Sequence, residues 1–448
     1  MPKANAYPTK TLFIGMLTRD VSLEGAILDL IDNSIDSFLR VKRPDFIENP
    51  ATLLQLDEGQ TITDIGTVEI RFANDKFEIF DDCGGITYED ARDNIMRFGK
   101  VASDGKAALS VYGIGLKRAL FKIGKTIQII SSHPSSRGFR ISIDVNAWVR
   151  DDDPDTWYFD MKPLPKGAIA DGCTKIVVTD LYPEILSQVM SGTFESRLHE
   201  SIGEAYGLLP RGMINIRVNG VSVMMSEIVI RDSNDIKPAI RHLSIDGITC
   251  TVIVGATMRS AGGQAGEVAG WYIVCNGRVV LAADKTRVTG WGRELPSFHP
   301  KHRPFIGVVY FFSENAAALP WTTNKQGVHT ESRVYQDAYQ EMMQAARPVI
   351  RFLDRLYAAS GEEPESPVQR DILRSASGVG LRSVASRQNA SFYVSPKKKE
   401  PPTTVRVQFD VKIEDIERAK VALKKPNWSG RKVAAYAFEY FLRNECSE

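Results

Sequence analysis

The sequence predicts an α+β fold in which a few helices cover a strand-rich layer. TVEIRFANDKFEIFDD reads as two strands joined by a turn at Asn74-Asp75. GKTIQIISS, FRISIDVNAW and CTKIVVTDL add further strand patterns, and helical periodicity occupies residues 22–40, 88–98 and 113–123. Many strands with segregated helices are typical of a two-layer α+β domain.

The rest of the chain predicts three further segments. Strand-like stretches such as INIRVNGVSV and FIGVVYFFS are followed by a long helical pattern, in which Pro348 predicts a kink. A stretch rich in Ser, Pro, Gly and Lys then predicts a flexible basic linker, and the last residues predict one strand and two helices. We therefore divide the chain into residues 1–195, 196–358, 359–403 and 404–448.

Composition and charge argue against several classes of protein. The 56 basic and 55 acidic residues give a formal charge of +1, so binding to nucleic acid or an anionic membrane would need a local patch. We find no secretory signal and no stretch of membrane-spanning length, and no two cysteines form a CxxC pair. We therefore expect a soluble, cytoplasmic protein with free thiols and no contact with membranes. His299 and His302 are interpreted as surface histidines, because no further ligand completes a zinc set.

The stretch EGAILDLIDNSIDSF, residues 24–38, predicts a helix with one apolar and one polar face. The apolar face consists of Ile27, Ile31, Ile35 and Phe38. The polar face consists of Asp29, Asp32, Asn33 and Asp36. An amide oxygen and a carboxylate that can hold a water are what Mg²⁺ needs beside a phosphate. The alternative interpretation is an amphipathic helix with a solvated acidic face.

Two glycine-containing stretches have the chemistry of a nucleotide site. In FEIFDDCGGITYED a strand runs into Asp81, whose carboxylate can accept from an exocyclic amine, and the following glycines allow a flat ring to approach the backbone. In SVYGIGLKRALFKIG, Gly113 and Gly115 open a helix whose first N–H groups can bind phosphate, and Lys117 adds positive charge. An acidic turn after a strand is the alternative for the first stretch.

In order and spacing, these stretches resemble the GHKL family of ATPases, which includes DNA gyrase B, Hsp90, histidine kinases and MutL. DLIDNSID resembles the first sequence box of the family, DDCGG the adenine box, and YGIGLK the phosphate box in a form closest to MORC-type and MutL-type members. DGCTKIVVTDL, residues 171–181, resembles the strand that closes the adenine pocket. The resemblance implies a Bergerat-type two-layer α/β sandwich that binds ATP with Mg²⁺.

The resemblance assigns roles to individual residues. Asp29 matches the general base that orients the attacking water, and Asn33 matches the Mg²⁺-binding amide. Asp81 matches the acceptor of the adenine amine, and Gly85 and Thr174 match the residues that support the ring. The phosphate-binding residues implied are Lys100, Tyr112, Gly113, Ile114, Gly115, Leu116 and Lys117. Residues 99–112 match the mobile lid, in which a solvated side chain is the alternative for Lys100.

Two residues depart from the family pattern. Asp29 stands where most members carry Glu, and its side chain is one methylene shorter, so its reach to the water is the concern. Glu24 is a poor substitute, because it points partly off the polar face. Cys83 replaces the first glycine of the adenine box.

The resemblance continues into the second segment. LPWTTNKQGVHTES, residues 319–332, is similar to the loop that sends a lysine to the γ-phosphate in the S5-like transducer domain of MutL and gyrase. Lys325 is the matching residue, and its cation would distinguish ATP from ADP. The alternative is a surface turn that carries a lysine.

The resemblance implies an ATP-driven dimer clamp, with a DNA-related task by analogy with MORC-like and MutL-like members. The alternatives are a nucleotide-gated scaffold with little hydrolysis and an Hsp90-like action on a protein client. The C-terminal segment resembles a ribbon–helix–helix module, in which Arg406 and Gln408 would face DNA. A small helical hairpin for dimerisation or docking is the alternative for that segment.

Overall fold

The computed structural model describes most of the chain. The described residues are 8–55, 65–98, 109, 113–151, 153–225, 228–257, 268–356, 372–373, 375–395 and 407–446. They form two compact units, Met1–Ser395 and Pro396–Glu448.

The larger unit contains an eight-stranded sheet. Its strands are β1 Gly66–Ala73, β2 Lys76–Asp81, β3 Gly124–His133, β4 Ser136–Asp144, β5 Asp160–Pro163, β6 Cys173–Leu181, β7 Ile214–Val218 and β8 Val221–Ser222. Their order across the sheet is β5-β4-β3-β6-β2-β1-β7-β8. Neighbouring strands are antiparallel except β1 and β7, which are parallel. This mixed α+β layer with a large antiparallel sheet agrees with the predicted fold class.

Helices accompany this sheet. They are α1 Lys10–Thr18, α2 Leu23–Lys42, α3 Pro44–Glu48, α4 Tyr88–Asp90, α5 Gly115–Ile123, α6 Val145–Arg150, α7 Pro183–Val189 and α8 Phe194–Tyr206. The Ser22 hydroxyl caps α2 by accepting from the Gly25 N–H at 3.0 Å. The apolar face predicted for α2 is fully buried, and α2 packs on both α5 and β1. The helix therefore holds its polar face at a fixed position beside the start of α5.

A five-stranded sheet is the second large sheet of this unit. Its strands are β11 Ala239–Ile245, β12 Ile248–Ala256, β13 Gly270–Cys275, β14 Arg278–Asp284 and β15 Phe305–Phe312, in the order β11-β12-β15-β13-β14. β13 and β15 are parallel, and the other pairs are antiparallel. The long helix α9, Arg333–Leu356, packs on β11, β12 and β15 and continues as one helix through Pro348.

The structure corrects two of the boundaries expected from sequence. The first sheet continues beyond residue 195, because β7 pairs with β1 in parallel and β8 follows it. Part of the expected linker 359–403 is ordered. Its elements are β16 Ser377–Gly380, α10 Leu381–Ala385 and β17 Tyr393–Val394, and the two strands pair with β9 Val229–Asp232 and β10 Ile236–Lys237. The composition of residues 359–403 predicted a flexible linker. Residues 377–380 and 393–394 nevertheless form strands, because they pair with β9 and β10.

The smaller unit contains helices α11, Ile413–Ala422, and α12, Gly430–Glu445. The strand predicted before them is absent over residues 407–412, because these residues pair with no described strand. Arg406 lies outside the described residues, and Gln408 is exposed. Large apolar side chains of this unit are exposed, namely Val407, Phe409, Val411, Ile413, Val421, Tyr436, Phe438, Tyr440, Phe441 and Leu442. Among residues 407–446 Val433 alone is buried, so the unit as described has almost no core of its own.

The structure also places His302 and the cysteines. His302 is buried rather than on the surface, and its Nε2 lies 3.0 Å from Asp354 Oδ1. All five cysteines are free thiols, four of them buried.

Within the described part of the chain, no helix combines the length and apolar content needed to cross a membrane.

Candidate functional site

The polar face of α2 is buried. Asp29, Asp32 and Asp36 are at most 4% exposed, and Asn33 is the half-buried member of the face. The alternative of a solvated acidic helix face is therefore wrong. Carboxylates with so little access to water need partners, and these come from elements distant in the sequence.

Asp29 forms a buried ion pair with Arg118, which lies on α5. Arg118 Nε and Nη2 donate to Asp29 Oδ2 at 3.1 and 2.5 Å, and Lys325 Nζ lies 3.9 Å from Oδ1. Burial raises the pKa of Asp29, and the cations of Lys325 and Arg118 counteract part of that rise. Gly115 borders the same carboxylate, since a Cβ there would lie 3.4 Å from Asp29 Cγ. The predicted base thus sits against the start of the predicted phosphate-binding helix, with one oxygen held by an arginine.

Asn33 is oriented by the helix itself. Its Nδ2 donates to the Asp29 carbonyl oxygen at 2.8 Å. The described residues contain no group of three or more His, Cys, Asp or Glu side chains able to hold a metal ion. An amide oxygen on a half-buried residue fits a Mg²⁺ ion that takes its other ligands from a phosphate and water.

Asp81 and Thr174 end up side by side, as the adenine-pocket prediction requires. They are direct cross-strand partners on β2 and β6. Asp81 accepts from the Ser34 hydroxyl at 2.8 Å and from the Cys83 N–H at 3.1 Å. Burial raises the pKa of Asp81 to about 6. A carboxylate with this pKa is mostly ionised at neutral pH and can accept a further hydrogen bond.

The glycine pair after Asp81 brings two backbones together. The Gly84 N–H donates to the Gly172 carbonyl at 2.8 Å, and Gly85 has a φ of +72°. A Cβ on Gly85 would lie 2.1 Å from the Ser132 carbonyl oxygen, so no other residue fits there without displacing a strand. Cys83 is fully buried and its φ is not positive. Its side chain therefore occupies the core, which explains how it can replace a glycine of the family pattern.

The predicted phosphate loop is partly accessible. Gly113 has a φ of +58°, α5 begins at Gly115, and its N-cap residue makes no side-chain capping bond. Gly113, Ile114, Gly115 and Leu116 are half-buried. The first N–H groups of α5 are therefore suited to an anion. Lys100 and Tyr112 lie outside the described residues.

Lys117 is turned away from that loop. Its Nζ donates to the carbonyl oxygens of Ile95 and Arg97 at 2.8 and 2.9 Å, and burial lowers its pKa to about 8. The ammonium thus holds the backbone that leads into residues 99–112. The expected phosphate contact of Lys117 followed from its position in the first turn of α5. The direction of its side chain is set by the packing of α5, which the sequence does not show.

Lys325 is buried, so the alternative of a surface turn is wrong. It has a φ of +52° and is 6% exposed. Its Nζ donates to Asp32 Oδ2 at 2.6 Å. The loop that carries Lys325 approaches α2 closely at Gly25. A Cβ on that glycine would lie 2.5 Å from Gln326 Nε2. The loop predicted from the transducer resemblance therefore meets the helix predicted to bind Mg²⁺ and ATP.

Several functional candidates were missed by the sequence prediction. Ser34 holds Asp81, and the Ser131 hydroxyl lies 2.9 Å from the Thr174 hydroxyl. Tyr206 and Arg278 reach Asp32 from α8 and β14. Of these residues and Arg118, the sequence pointed indirectly to Arg118 alone. An Asp at position 29, where most family members carry Glu, suggests that another residue compensates for the shorter side chain.

The comparison with known families agrees with this geometry. Residues 21–157 match the sequence model of a family described as "Histidine kinase-, DNA gyrase B-, and HSP90-like ATPase". No curated protein matches the chain. The matched segment contains Asp29, Asn33, Asp81 and the start of α5, and it supports a GHKL-type ATP-binding domain at the N-terminal end. Thr174 and Lys325 lie beyond it.

The steric role of Gly85 can be tested with a matched glycine. Gly192 has a φ of +71° but nothing within 4 Å of a Cβ, so Gly192→Ala carries only the backbone strain of about 1–2 kcal/mol. Gly85→Ala adds overpacking against Ser132 and should cost about 2–5 kcal/mol in total. Denaturant unfolding of both variants measures the difference. Equal losses of stability would contradict the close approach described here.

Proposed function

We propose that this protein is a Mg²⁺-dependent ATPase of the GHKL type that acts as a conformational switch, closest in motif style to MORC-like and MutL-like proteins. One observation carries the proposal. Lys325, from the region of the second sheet, lies 3.9 Å from Asp29 on the ATP-binding helix α2. A group that can sense a terminal phosphate and a group that can orient water thus share one site.

The adenine end of the site would fix the nucleotide. Asp81 accepts a hydrogen bond from the adenine amine, and Thr174 supports the ring from the neighbouring strand. The backbone contact at Gly85 keeps this wall close to β3. These contacts are the same for ATP and ADP, so they supply affinity and no discrimination.

The phosphate end would supply the chemistry. The N–H groups at the start of α5 bind phosphate oxygens, and Lys325 pairs with the terminal phosphate. Mg²⁺, held by the Asn33 amide, would neutralise charge on the phosphates. Asp29 orients the attacking water through Oδ1, the oxygen that Arg118 does not occupy.

Hydrolysis is proposed to be slow. The Arg118 guanidinium 2.5 Å from Asp29 holds Oδ2 and offsets part of the rise in the pKa of Asp29 that burial causes, so the carboxylate is a weaker base than burial alone would make it. The same contact favours the second candidate function, a nucleotide-gated scaffold that binds ATP and hydrolyses little. In that case the nucleotide itself, and not its turnover, would set the conformation.

The proposed output is pairing of two chains in the presence of ATP. In this scheme the second sheet acts as an S5-like transducer, and Lys325 couples it to the nucleotide. The exposed apolar side chains of the C-terminal unit support a contact with another macromolecule, because patches of this kind mark interaction sites. A DNA-related task is the proposed context, and an Hsp90-like action on a protein client is the alternative.

Mg²⁺-dependent ATP turnover by wild type and Asp29→Asn is the first test. We expect slow turnover in the wild type and at least about a hundredfold less in the variant, since a positioned base contributes that much. ATP binding and thermal unfolding are measured beside turnover, because the variant leaves Arg118 buried with a weaker partner. Glu24→Gln is the control, as Glu24 pairs with Arg197 on the surface and should leave turnover unchanged. ATP binding without wild-type turnover would favour the scaffold.

Pairing of chains is tested by light scattering. A non-hydrolysable ATP analogue with Mg²⁺ should raise the dimer fraction of the full chain, whereas ADP should not, because only the analogue offers Lys325 a terminal phosphate. Lys325→Ala serves as the control that should respond to neither nucleotide. A mass that is the same with the analogue and with ADP would rule out the ATP-driven clamp.

DNA binding by the C-terminal unit is tested by removing residues 404–448. The truncated chain should bind duplex DNA more weakly, with a shallower dependence on salt, because phosphate contacts release counterions. Equal affinity and salt slope in full-length and truncated chains would remove DNA from the proposal.

A further inference from the structure

Asp32 has no role in the function proposed above, yet it is the most enclosed carboxylate of α2. It is 0% exposed and collects donors from three elements beyond residue 200. The Tyr206 hydroxyl donates to Oδ1 at 2.7 Å, and Lys325 Nζ donates to Oδ2 at 2.6 Å. Arg278 Nε is the third neighbour, 3.4 Å from Oδ1. Two cations therefore face one buried carboxylate.

The two cations differ in how they are attached. Arg278 follows a tight turn in which Asn276 and Gly277 both have positive φ. Asn276 is itself fixed, because its side chain exchanges two hydrogen bonds of 3.0 Å with the Ser313 backbone. Lys325 reaches Asp32 with a single nitrogen on a long flexible stem. Arg278 is therefore the fixed cation and Lys325 the one that can move.

Arg278 also has an incomplete set of hydrogen bonds. It is 3% exposed and its guanidinium lies 4.7 Å from the centre of the Tyr206 ring. Within the described part of the chain, its Nε has no hydrogen-bond partner, since 3.4 Å to Asp32 satisfies only an ion-pair distance. A buried charged donor without a bond is costly, so a small approach to Asp32 would be favourable.

The ion pairs formed by Asp29 and Asp32 do not balance in charge. Asp29 and Asp32 face three cations, and we call these five groups, Asp29, Asp32, Arg118, Arg278 and Lys325, the buried charge cluster. With ionised carboxylates the buried charge cluster carries one net positive charge. Buried excess charge is unfavourable, and a phosphate oxygen brought to this place would neutralise it.

We propose that Asp32 is a positioning residue that holds Lys325 in reserve, and that Arg278 replaces Lys325 when a γ-phosphate binds. Lys325 Nζ then leaves Asp32 for the phosphate, and Arg278 Nε closes onto Asp32 Oδ1. ADP leaves Lys325 on Asp32. The exchange rests on the proposed function, and it assigns the discrimination between ATP and ADP to a pair of residues that touch no nucleotide.

The exchange predicts opposite effects for its two partners. Asp32→Asn releases Lys325 from its ion pair, so the ratio of the Kd for ADP to the Kd for a non-hydrolysable ATP analogue should rise about tenfold. In Arg278→Met no second cation can replace Lys325 at Asp32. Moving Lys325 to the γ-phosphate then leaves Asp32 unpaired, so the same ratio should fall about tenfold. Methionine keeps a long side chain against the Tyr206 ring, and Arg278→Lys restores a cation and should recover much of the ratio. In the double variant Asp32→Asn/Arg278→Met the ratio should match that of Asp32→Asn, because no carboxylate is left to compensate.

The measurement is calorimetric binding of ADP and of the analogue, both with Mg²⁺, to the full chain. Arg217→Met, a change to an exposed arginine of β7, is the control that should leave the ratio unchanged. Thermal unfolding checks each variant. If Asp32→Asn does not fold, Arg278→Met and Arg278→Lys decide, and a ratio equal to wild type in Arg278→Met overturns the exchange.

The outcomes separate this inference from the proposed function. A wild type that binds neither nucleotide overturns the proposed function and the exchange with it. A wild type that binds both, with single variants that shift the ratio in the same direction or not at all, overturns the exchange alone. Opposite shifts of the ratio, together with a double variant whose ratio equals that of Asp32→Asn, support the exchange. A simple loss of stability would weaken the binding of ADP and of the analogue equally and leave the ratio unchanged.

Discussion

The buried ionic contacts of helix α2 are the constraint on which the rest of the structure depends. Asp29 joins α2 to α5 through Arg118, and Asp32 joins it to α8, β14 and the loop around Lys325. Buried ion pairs add little net stability, because desolvation offsets their attraction, but removal of one partner costs about 3–5 kcal/mol. Their effect is to connect the eight-stranded sheet and the five-stranded sheet through a small number of buried ion pairs.

The same contacts limit how strong a base Asp29 can be. A carboxylate must be accessible to water and unpaired to accept a proton readily, yet Asp29 is 4% exposed and held at 2.5 Å by an arginine. The start of α5 also lies close to it, since a Cβ on Gly115 would stand 3.4 Å from Asp29 Cγ. The short side chain of Asp29 is thus matched to a tight enclosure and to its arginine partner. This enclosure is consistent with the slow turnover proposed above.

Local patterns predicted much of the fold, whereas long-range partners could not be predicted. The periodicity of residues 24–38 located α2 and its buried face, and alternation located β1, β2, β3, β4 and β6. The family resemblance also implied that Asp81, Thr174 and Lys325 belong to one site. The sequence could not show that Asp32 meets residues 206, 278 and 325, because nothing local records a contact across more than 170 positions. The direction of the Lys117 side chain and the pairing of residues 377–394 with β9 and β10 could not be predicted either, because both depend on packing between separate elements.

The two ends of the proposed site are built from different materials, and this difference has a mechanistic consequence. The adenine end consists of backbone and short side chains on paired strands, where Gly85 allows no adjustment and Asp81 is held by two donors. The phosphate end consists of charged side chains that can exchange partners without moving a strand. A ligand that fills only the rigid end gains affinity but changes nothing beyond it. In the proposed exchange, a ligand that also reaches the charged end alters the pairing between α2 and the loop of Lys325, and so changes the coupling between the two sheets. The proposed function thus assigns the response to a terminal phosphate to the ion pairs and the binding of the nucleotide to the sheet.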